Sequence, residues 1–364
     1  MNKTGIYIHI PFCRGKCPYC DFYSLTGNDR ELKKEYVKAL LKETESRKNI
    51  FTDTIYLGGG TPSVLPGEDI AKIIGKAKES FNFTEGEITV ECNPSSVDEN
   101  MIKTLRDCGV NRISLGLQSF NENERKILGR RTSPEKIKEI ISSFIQNGID
   151  NISLDVMLGV PEQTVSSLKK TLEFCVNSGA NHISAYILKI EEGTFFAKHS
   201  EKYNFPDDEE TAKMYEFTRD FLEKAGFFQY EISNFSKRGY ESRHNLKYWN
   251  CEEYLGLGAS AHSFFEGRRF YHERDIRKYI EAPLLAVPDG EGGDFSEYAM
   301  LRLRLREGLL NEKVIEKYGF EIPRDIFKKA KKFIDAGYVE ADEDGIRLTA
   351  RGFLVSNYIL SEIL

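Results

Sequence analysis

Short apolar runs alternate with Lys- and Glu-rich stretches of helical periodicity through the first two thirds of the chain, and this alternation constrains the fold more than any other feature. The predicted strands are Ile6–Ile10, Thr54–Leu57, Glu87–Glu91, Arg112–Gly116, Ile152–Met157 and His182–Leu188. The predicted helices are Asp29–Lys48, Glu68–Ser80, Glu99–Cys108, Pro134–Gln146, Ser166–Asn177 and Glu209–Lys224. Gly109, Gly148, Gly179 and Gly226 fall just beyond four of them, where a helix stops in a left-handed residue. Six βα units in series imply a parallel sheet covered by helices. A closed (β/α)8 barrel needs two more units, so the expectation is an incomplete, opened (β/α)6 TIM-like barrel, with Gln229–Ile232 as a further short strand.

Pro283, Pro288, Gly290, Gly292 and Gly293 crowd the segment 281–294, which reads as a linker. The expected organisation is therefore a partial barrel with its extension over 1–280 and a small C-terminal domain over 295–364. That domain reads as helical and ends in a β-hairpin, as in winged-helix folds. It carries 12 Lys and Arg against 12 Asp and Glu, so it has no charge excess for DNA, and the net charge of −6 for the whole chain argues in the same direction against nucleic acid. The 364 residues are 40% hydrophobic and 30% charged, ordinary for a globular protein, and no apolar stretch is long enough for a transmembrane helix. Composition leaves peripheral membrane contact open. The first residues run straight into a strand, so no secretory leader is expected, and with cysteine usage this points to the cytoplasm.

Cys13, Cys17 and Cys20 lie within eight residues, just past the first strand. They are too close for a disulfide framework, and the total of seven cysteines is odd, the other four being the scattered Cys92, Cys108, Cys175 and Cys251. Three thiolates at this spacing can hold three corners of a 4Fe-4S cluster and leave the fourth iron open to a small ligand. The alternative is a zinc site, with His9 as the nearest fourth ligand.

In parallel α/β sheets, ligands gather at the carboxyl ends of the strands. The unusual residues of this chain fall there too. Gly58, Gly59, Gly60, Thr61 and Pro62 follow the second strand, and Glu91 ends the third. Gln118 and Ser119 follow the fourth, with Arg130 and Arg131 beyond, and Asp155 sits in the apolar fifth strand, where an unpaired carboxylate is costly. Taken singly, three glycines can be a tight turn, Glu91 a solvated strand end, and Arg130 part of a solvated basic face.

The cysteine run at the end of a first strand, with the aromatic Tyr19 just before the last cysteine, resembles the radical S-adenosylmethionine enzymes. The runs Tyr7 to Cys13, Tyr56 to Pro62, Glu91 to Pro94, Leu115 to Phe120, Asp155 to Pro161, His244 to Trp249 and Tyr254 to Ser263 resemble the oxygen-independent coproporphyrinogen III oxidase family, in the same order and over nearly the whole chain. The resemblance implies a cluster on Cys13, Cys17 and Cys20 and S-adenosylmethionine bound at Tyr7, Tyr19, Gly59, Gly60, Thr61 and Glu91. Gln118, Arg130 and Asp155 lie beside it and contact a second such molecule in the oxidase. It also implies that the C-terminal domain is of the type found in that family.

Two departures point to a branch. The oxidase carries a further cysteine two residues after the third, where this chain has Phe22, and it has a long N-terminal extension, whereas here Cys13 arrives almost at once. Both features resemble the heme chaperone (HemW) branch, whose members bind heme and pass it to acceptor hemoproteins. The resemblance implies heme as a third cofactor, a reductant for the cluster, and His244 as heme-iron ligand, with Tyr248 and Trp249 against the porphyrin; His262 is a rival. Neutral imidazole suits that role, although a satisfied structural histidine is the other reading. Two further functions remain alternatives: the oxidase itself, decarboxylating two propionates, and a cluster scaffold without S-adenosylmethionine chemistry. The resemblance leaves open whether the chain is an enzyme.

Overall fold

The computed structural model describes residues 3–47 and 50–364. All six expected strands form: β1 (Thr4–Ile10), β2 (Thr52–Gly59), β3 (Glu87–Cys92), β4 (Arg112–Gln118), β5 (Asn151–Leu158) and β6 (His182–Ile187). They pair in parallel, in chain order. The helices between them start on side chains that accept from a free backbone N–H, among them Asp29, Asp98, Ser133 and Asp207. Four of them stop at the expected glycines, all at positive φ. The first helix runs Arg30–Ser46; its expected end at Lys48 lies outside the described residues.

The sheet extends beyond these six strands on both sides. Beside β6 come β7 (Phe228–Gln229) and β8 (Asn234–Ser236), with β8 antiparallel to β6 and β7 outermost. On the far side of β1 lies β9 (Tyr254–Leu257), a seventh parallel strand that the periodicity did not reveal. An antiparallel meander follows: β10 (His262–Phe265), β11 (Arg268–Tyr271) and β12 (Val287–Glu291). The result is one open sheet of twelve strands, edged by β12 and β7.

Two expectations change here. Part of the presumed linker is a strand: Val287–Glu291 pairs with β11, and Pro288 is tolerated because that strand has a free edge. The strand expected over Gln229–Ile232 ends at Gln229. The chain peels away to meet the C-terminal module instead, where Glu231 bridges to Leu305 and the Ile232 N–H donates to the Arg304 carbonyl at 3.0 Å.

That module, from Phe295 on, contains five helices and a three-stranded sheet whose hairpin joins Val339–Ala341 to Gly345–Leu348, as the winged-helix expectation had it. Asp342 shapes the turn by accepting from the N–H groups of Asp344 and Gly345.

The two faces of the parallel strands differ. One carries Ile6, Ile8, Ile10, Ile55, Leu57, Val90, Leu115 and Leu154, all inaccessible and packed with helix residues such as Ile73, Ile74, Ile141 and Leu172. The other carries Tyr7, His9, Thr54, Tyr56, Glu87, Glu91, Arg112, Ser114, Ser153, Asp155, His182 and Ser184. Hydrogen bonds such as Tyr56 to Glu91, Ser114 to Asp155 and Ser153 to His182 tie neighbouring strands together across it. A closed barrel fills this face with branched aliphatic side chains. Polar groups kept from water need partners, and here Thr89 Oγ1, Arg112 Nε, Asn234 Oδ1 and Ser236 Oγ are buried without one from the protein. The inner face is built to meet polar ligand groups or water rather than to pack.

Candidate cluster and cofactor site

The cysteine loop leaves β1 at Ile10 and is fixed from two sides. The Gly60 N–H donates to the Ile10 carbonyl at 2.9 Å and the Thr61 N–H to the Phe12 carbonyl at 2.8 Å, while the Leu25 N–H closes the loop onto the Pro11 carbonyl. A Cβ on Gly60 would stand 2.7 Å from the Phe12 carbonyl oxygen, so only glycine permits this approach. Cys13, Cys17 and Cys20 are free thiols, each partly exposed. The Cys13 sulfur and the Thr61 hydroxyl lie 3.5 Å apart. Burial raises the Cys20 thiol. Among the described residues no three His, Cys, Asp or Glu side chains converge on the place of a single metal ion.

His9 is not a fourth ligand. Its Nε2 faces the Tyr23 carbonyl at 3.1 Å and must donate to it, which leaves Nδ1 to accept from the Tyr7 hydroxyl at 3.0 Å. Burial lowers its pKa to about 4. The same ring presses on the glycine turn: a Cβ on Gly59, whose φ is +109°, would lie 2.5 Å from it.

Glu91 reaches this turn from β3. Its Oε1 accepts from the Tyr56 hydroxyl at 2.8 Å and its Oε2 from the Gly59 N–H at 3.2 Å. Burial raises the Glu91 pKa to about 7 against these two bonds, and the charge of Asp155 adds to the rise. Asp155 accepts from the Ser114 hydroxyl at 3.0 Å, and burial lifts it to about 6.

Gln118 ends β4 at a left-handed φ of +70°, where the pairing with β5 slips by a residue. A Cβ on Gly116 would stand 2.9 Å from Gln118 Nε2 and 3.5 Å from Arg130 Nη1, so amide and guanidinium share the space that the glycine leaves. Arg130 Nη2 donates to the Tyr19 hydroxyl at 2.7 Å, which ties this side back to the cysteine loop, and Arg130 Nε is buried without a protein partner. Arg131 is exposed and takes no part.

The structure thus brings Cys13, Cys17, Cys20, Tyr19, Gly59, Gly60, Thr61, Glu91, Gln118, Arg130 and Asp155 to the carboxyl ends of β1 to β5. Tyr7 is one pleat deeper, under His9. Three free thiols on an anchored loop, a glycine cradle against a carboxylate, and an unpartnered guanidinium donor fit a cluster and a charged cofactor carrying amine, carboxylate and hydroxyl groups.

His244 is placed elsewhere. It lies over the amino-terminal half of the sheet, 1% exposed, with Nδ1 2.9 Å from the Thr54 hydroxyl and Nε2 2.8 Å from the Tyr248 hydroxyl. Its ring stacks on Tyr56 at 5.2 Å, and its backbone N–H donates to Glu87. Neither nitrogen is open to a heme iron in this arrangement, so the structural reading of this histidine is the one its geometry supports. Tyr248 is occupied with it, and Trp249 is half-buried. His262 is exposed and stacks on Tyr271 at 5.1 Å.

Sequence reasoning passed over the segment after β6. Gly193, Thr194 and Phe195 face Lys16, Cys17, Pro18 and Cys20 across a cavity of about 320 Å3. The capping Thr194 before two adjacent phenylalanines was the available signal. A second cavity of about 340 Å3, among Lys34, Lys38, Glu45 and Lys72 on the first two helices, contains none of the site residues.

Comparison with known proteins bears on the family and the fold. Residues 7–175 match the radical SAM superfamily and residues 295–355 the HemN C-terminal domain. The chain is 31% identical to the heme chaperone HemW of Lactococcus lactis, covering 100% of this chain and 98% of that protein. It is 34% identical to that of Bacillus subtilis, covering 98% of both, and 33% identical to that of Escherichia coli, covering 100% of this chain and 99% of that one. Among solved structures, coproporphyrinogen III oxidase (HemN) of Escherichia coli, described as a radical SAM enzyme, superposes with a TM-score of 0.86 over 100% of this chain and 90% of that one at 20% identity, a likeness of fold.

Proposed function

The chain belongs to the radical SAM superfamily and, within it, to the heme chaperone HemW family, and on that premise we propose that it binds a 4Fe-4S cluster, S-adenosylmethionine and heme and delivers heme to acceptor hemoproteins. The observation that carries the first two ligands is the stitching of the Gly58–Thr61 turn to the cysteine loop, with Glu91 held against the turn from behind. In this reading Cys13, Cys17 and Cys20 hold three irons. Gly59, Gly60 and Thr61 present backbone groups to the amino-acid end of the cofactor, and Glu91 accepts from its hydroxyls. Arg130 and Gln118 supply donors from the far side, Asp155 an acceptor, and Tyr19 keeps Arg130 in place. Tyr7 acts through His9, which backs the turn. The cluster supplies one electron at a time when reduced; the protein orients the cofactor and limits water.

Heme binding rests on the family and on the absence of a fourth loop cysteine: Phe22 stands at that position, 69% exposed. The oxidase is the weaker reading for that reason. One anaerobic preparation, loaded with iron and sulfide and assayed in parallel for heme uptake and for conversion of coproporphyrinogen III, separates the two. Heme uptake without conversion is expected. Conversion by the reduced protein would reverse the choice.

A further inference from the structure

His244 has no open nitrogen, yet a single side chain separates it from the cofactor site. Its ring stacks on Tyr56, with centroids 5.2 Å apart and planes inclined by 27°. At the far end of the Tyr56 ring the hydroxyl donates to Glu91 Oε1 at 2.8 Å, and Glu91 Oε2 accepts from the Gly59 N–H at 3.2 Å. Gly58 is the next inner-face residue of β2 after Tyr56. A Cβ there would stand 2.8 Å from Tyr56 Cε1 and 2.9 Å from Glu91 Oε1, so phenol and carboxylate fill the space that this glycine leaves.

The helix Arg243–Trp249, which carries His244, is fastened to the strands beneath it. Glu87 of β3 accepts from the N–H groups of Arg243 and His244 at 3.0 and 3.1 Å. The buried Lys247 amine donates to the Lys3 carbonyl at 2.8 Å and pairs with Asp53 at 3.0 Å. Just past the helix, Asn250 Oδ1 accepts from Arg302 of the C-terminal module at 2.5 Å. On β1, a Cβ at Gly5 would lie 2.9 Å from Lys247 Cδ and 3.3 Å from His244 Cε1, so glycine admits the helix here too. Helix and sheet thus hold the imidazole in one place, and the imidazole blocks one face of the Tyr56 ring. A phenol has few rotamers, and a blocked face with a fixed hydroxyl partner leaves it one orientation.

That orientation bears on the carboxylate. Burial disfavours ionised Glu91, and the Tyr56 bond favours it. Tyr7, Cys92, Arg112, Asp155, Tyr186 and Tyr248 also face Glu91. Among the described residues Tyr56 is the side chain that bonds to it directly.

We propose that Tyr56 is a positioning residue for the cofactor acceptor Glu91, and that His244 sets the orientation of Tyr56, so that the run His244 to Trp249 acts on S-adenosylmethionine binding through the Tyr56 hydroxyl. The inference rests on the S-adenosylmethionine reading of this site and extends it to two residues that do not touch the cofactor.

The test is calorimetric titration of the full-length, cluster-loaded, heme-free protein with S-adenosylhomocysteine across neutral pH, for the parent, Tyr56→Phe, His244→Gln and the double variant. Tyr56→Phe keeps the ring and its stack and removes the hydroxyl alone. The midpoint of the pH dependence, at about 7 in the parent, should rise by about one unit, with binding about fivefold weaker at pH 7 and close to that of the parent at the alkaline end. His244→Gln should move the midpoint the same way by less, because the phenol loses its stacking partner, and should add nothing in the Tyr56→Phe background. A purely structural His244 would lower the unfolding midpoint and leave the binding midpoint where it is, and that result would overturn its part in the chain of contacts. Parent-like binding in Tyr56→Phe across the range would overturn the inference and leave the cofactor reading standing, as would a parent that binds without pH dependence. A parent chain that binds no S-adenosylhomocysteine would overturn both.

Discussion

The Thr61 hydroxyl lies 3.5 Å from the Cys13 sulfur, bringing together the loops after β2 and β1. Once Cys13 is a thiolate bound to iron, its sulfur can only accept, so the hydroxyl donates. A donor to a cluster ligand stabilises the more negative, reduced form. Thr61→Val keeps the shape and the backbone N–H that grips the Phe12 carbonyl, but removes that donor. Iron content should be unchanged, and the cluster potential should fall by an amount on the order of 20–60 mV, the one-electron equivalent of a hydrogen bond of about 0.5–1.5 kcal/mol. A potentiometric titration followed by electron paramagnetic resonance measures it. An unchanged potential would mean that the hydroxyl does not donate to the cluster ligand.

Much of the frame was legible in the sequence because its signals are local. The aliphatic residues of the strands alternate, the helices begin on capping carboxylates and hydroxyls, and Gly109, Gly148, Gly179 and Gly226 mark their ends. The candidate site was legible because chain order alone places Cys13, Thr61 and Glu91 at strand ends on one side of a parallel sheet, with Asp155 inside the strand beside them. What was missed depends on partners distant in the chain. β9 has four residues and finds its place only beside β1. Val287–Glu291 looked like a linker because proline and glycine mark edge strands and loops alike. His244 looked available because Thr54, 190 positions away, cannot be seen from its own motif. The polar inner face was readable as every second residue of β1 to β6, but only Asp155 stood out.

Glu43 is a buried carboxylate far from that site. Its Oε1 lies 2.8 Å from His272 Nε2, and its Oε2 accepts from the Tyr279 hydroxyl at 2.6 Å and the Gly258 N–H at 3.1 Å. It joins the first helix to the meander after β9, next to Tyr36, whose hydroxyl donates to the His9 carbonyl behind the cysteine loop. Glu43→Ala leaves three buried donors without a partner and should cost about 3–5 kcal/mol. Glu43→Gln keeps an acceptor and should cost clearly less. Urea denaturation of both gives the comparison, and equal losses would show that a neutral acceptor at this position does not serve the three donors.

For His244 the expected effect is on folding. His244→Ala removes both ring contacts, leaves the Thr54 and Tyr248 hydroxyls unpaired and opens a void beside Tyr56, a loss of about 3–5 kcal/mol. Burial lowers the His244 pKa from 6.5 to about 3. The folded chain therefore binds fewer protons than the unfolded chain in that interval. The stability contributed by the neutral ring is present above pH 6.5 and is lost as the pH falls toward 3. Chemical denaturation at several pH values should show a shallower acid loss in His244→Gln than in the parent. If His244→Ala is as stable as the parent but takes up no heme, the ring is a ligand after all.

Glu91 gives the opposite sign. Its folded-state pKa is raised from 4.5 to about 7, so burial favours the protonated acid below that pH. The stability from this group is complete below about pH 4.5 and is lost as the pH rises through 7. A cofactor whose hydroxyls donate to Glu91 prefers the ionised form, because a charged acceptor makes the stronger bond. Binding of S-adenosylhomocysteine, which cannot be cleaved as a sulfonium, should tighten as the pH rises toward about 7 and level off above it. Glu91→Gln should flatten that profile and lower affinity above pH 7 by about 10- to 100-fold, the worth of one charge-assisted bond of about 1.5–3 kcal/mol. Calorimetry on cluster-loaded protein across this range reads both effects. If the parent shows no pH dependence, the carboxylate is not an acceptor for the cofactor, and the role of the glycine cradle in placing it beside the cysteines would have to be reassigned.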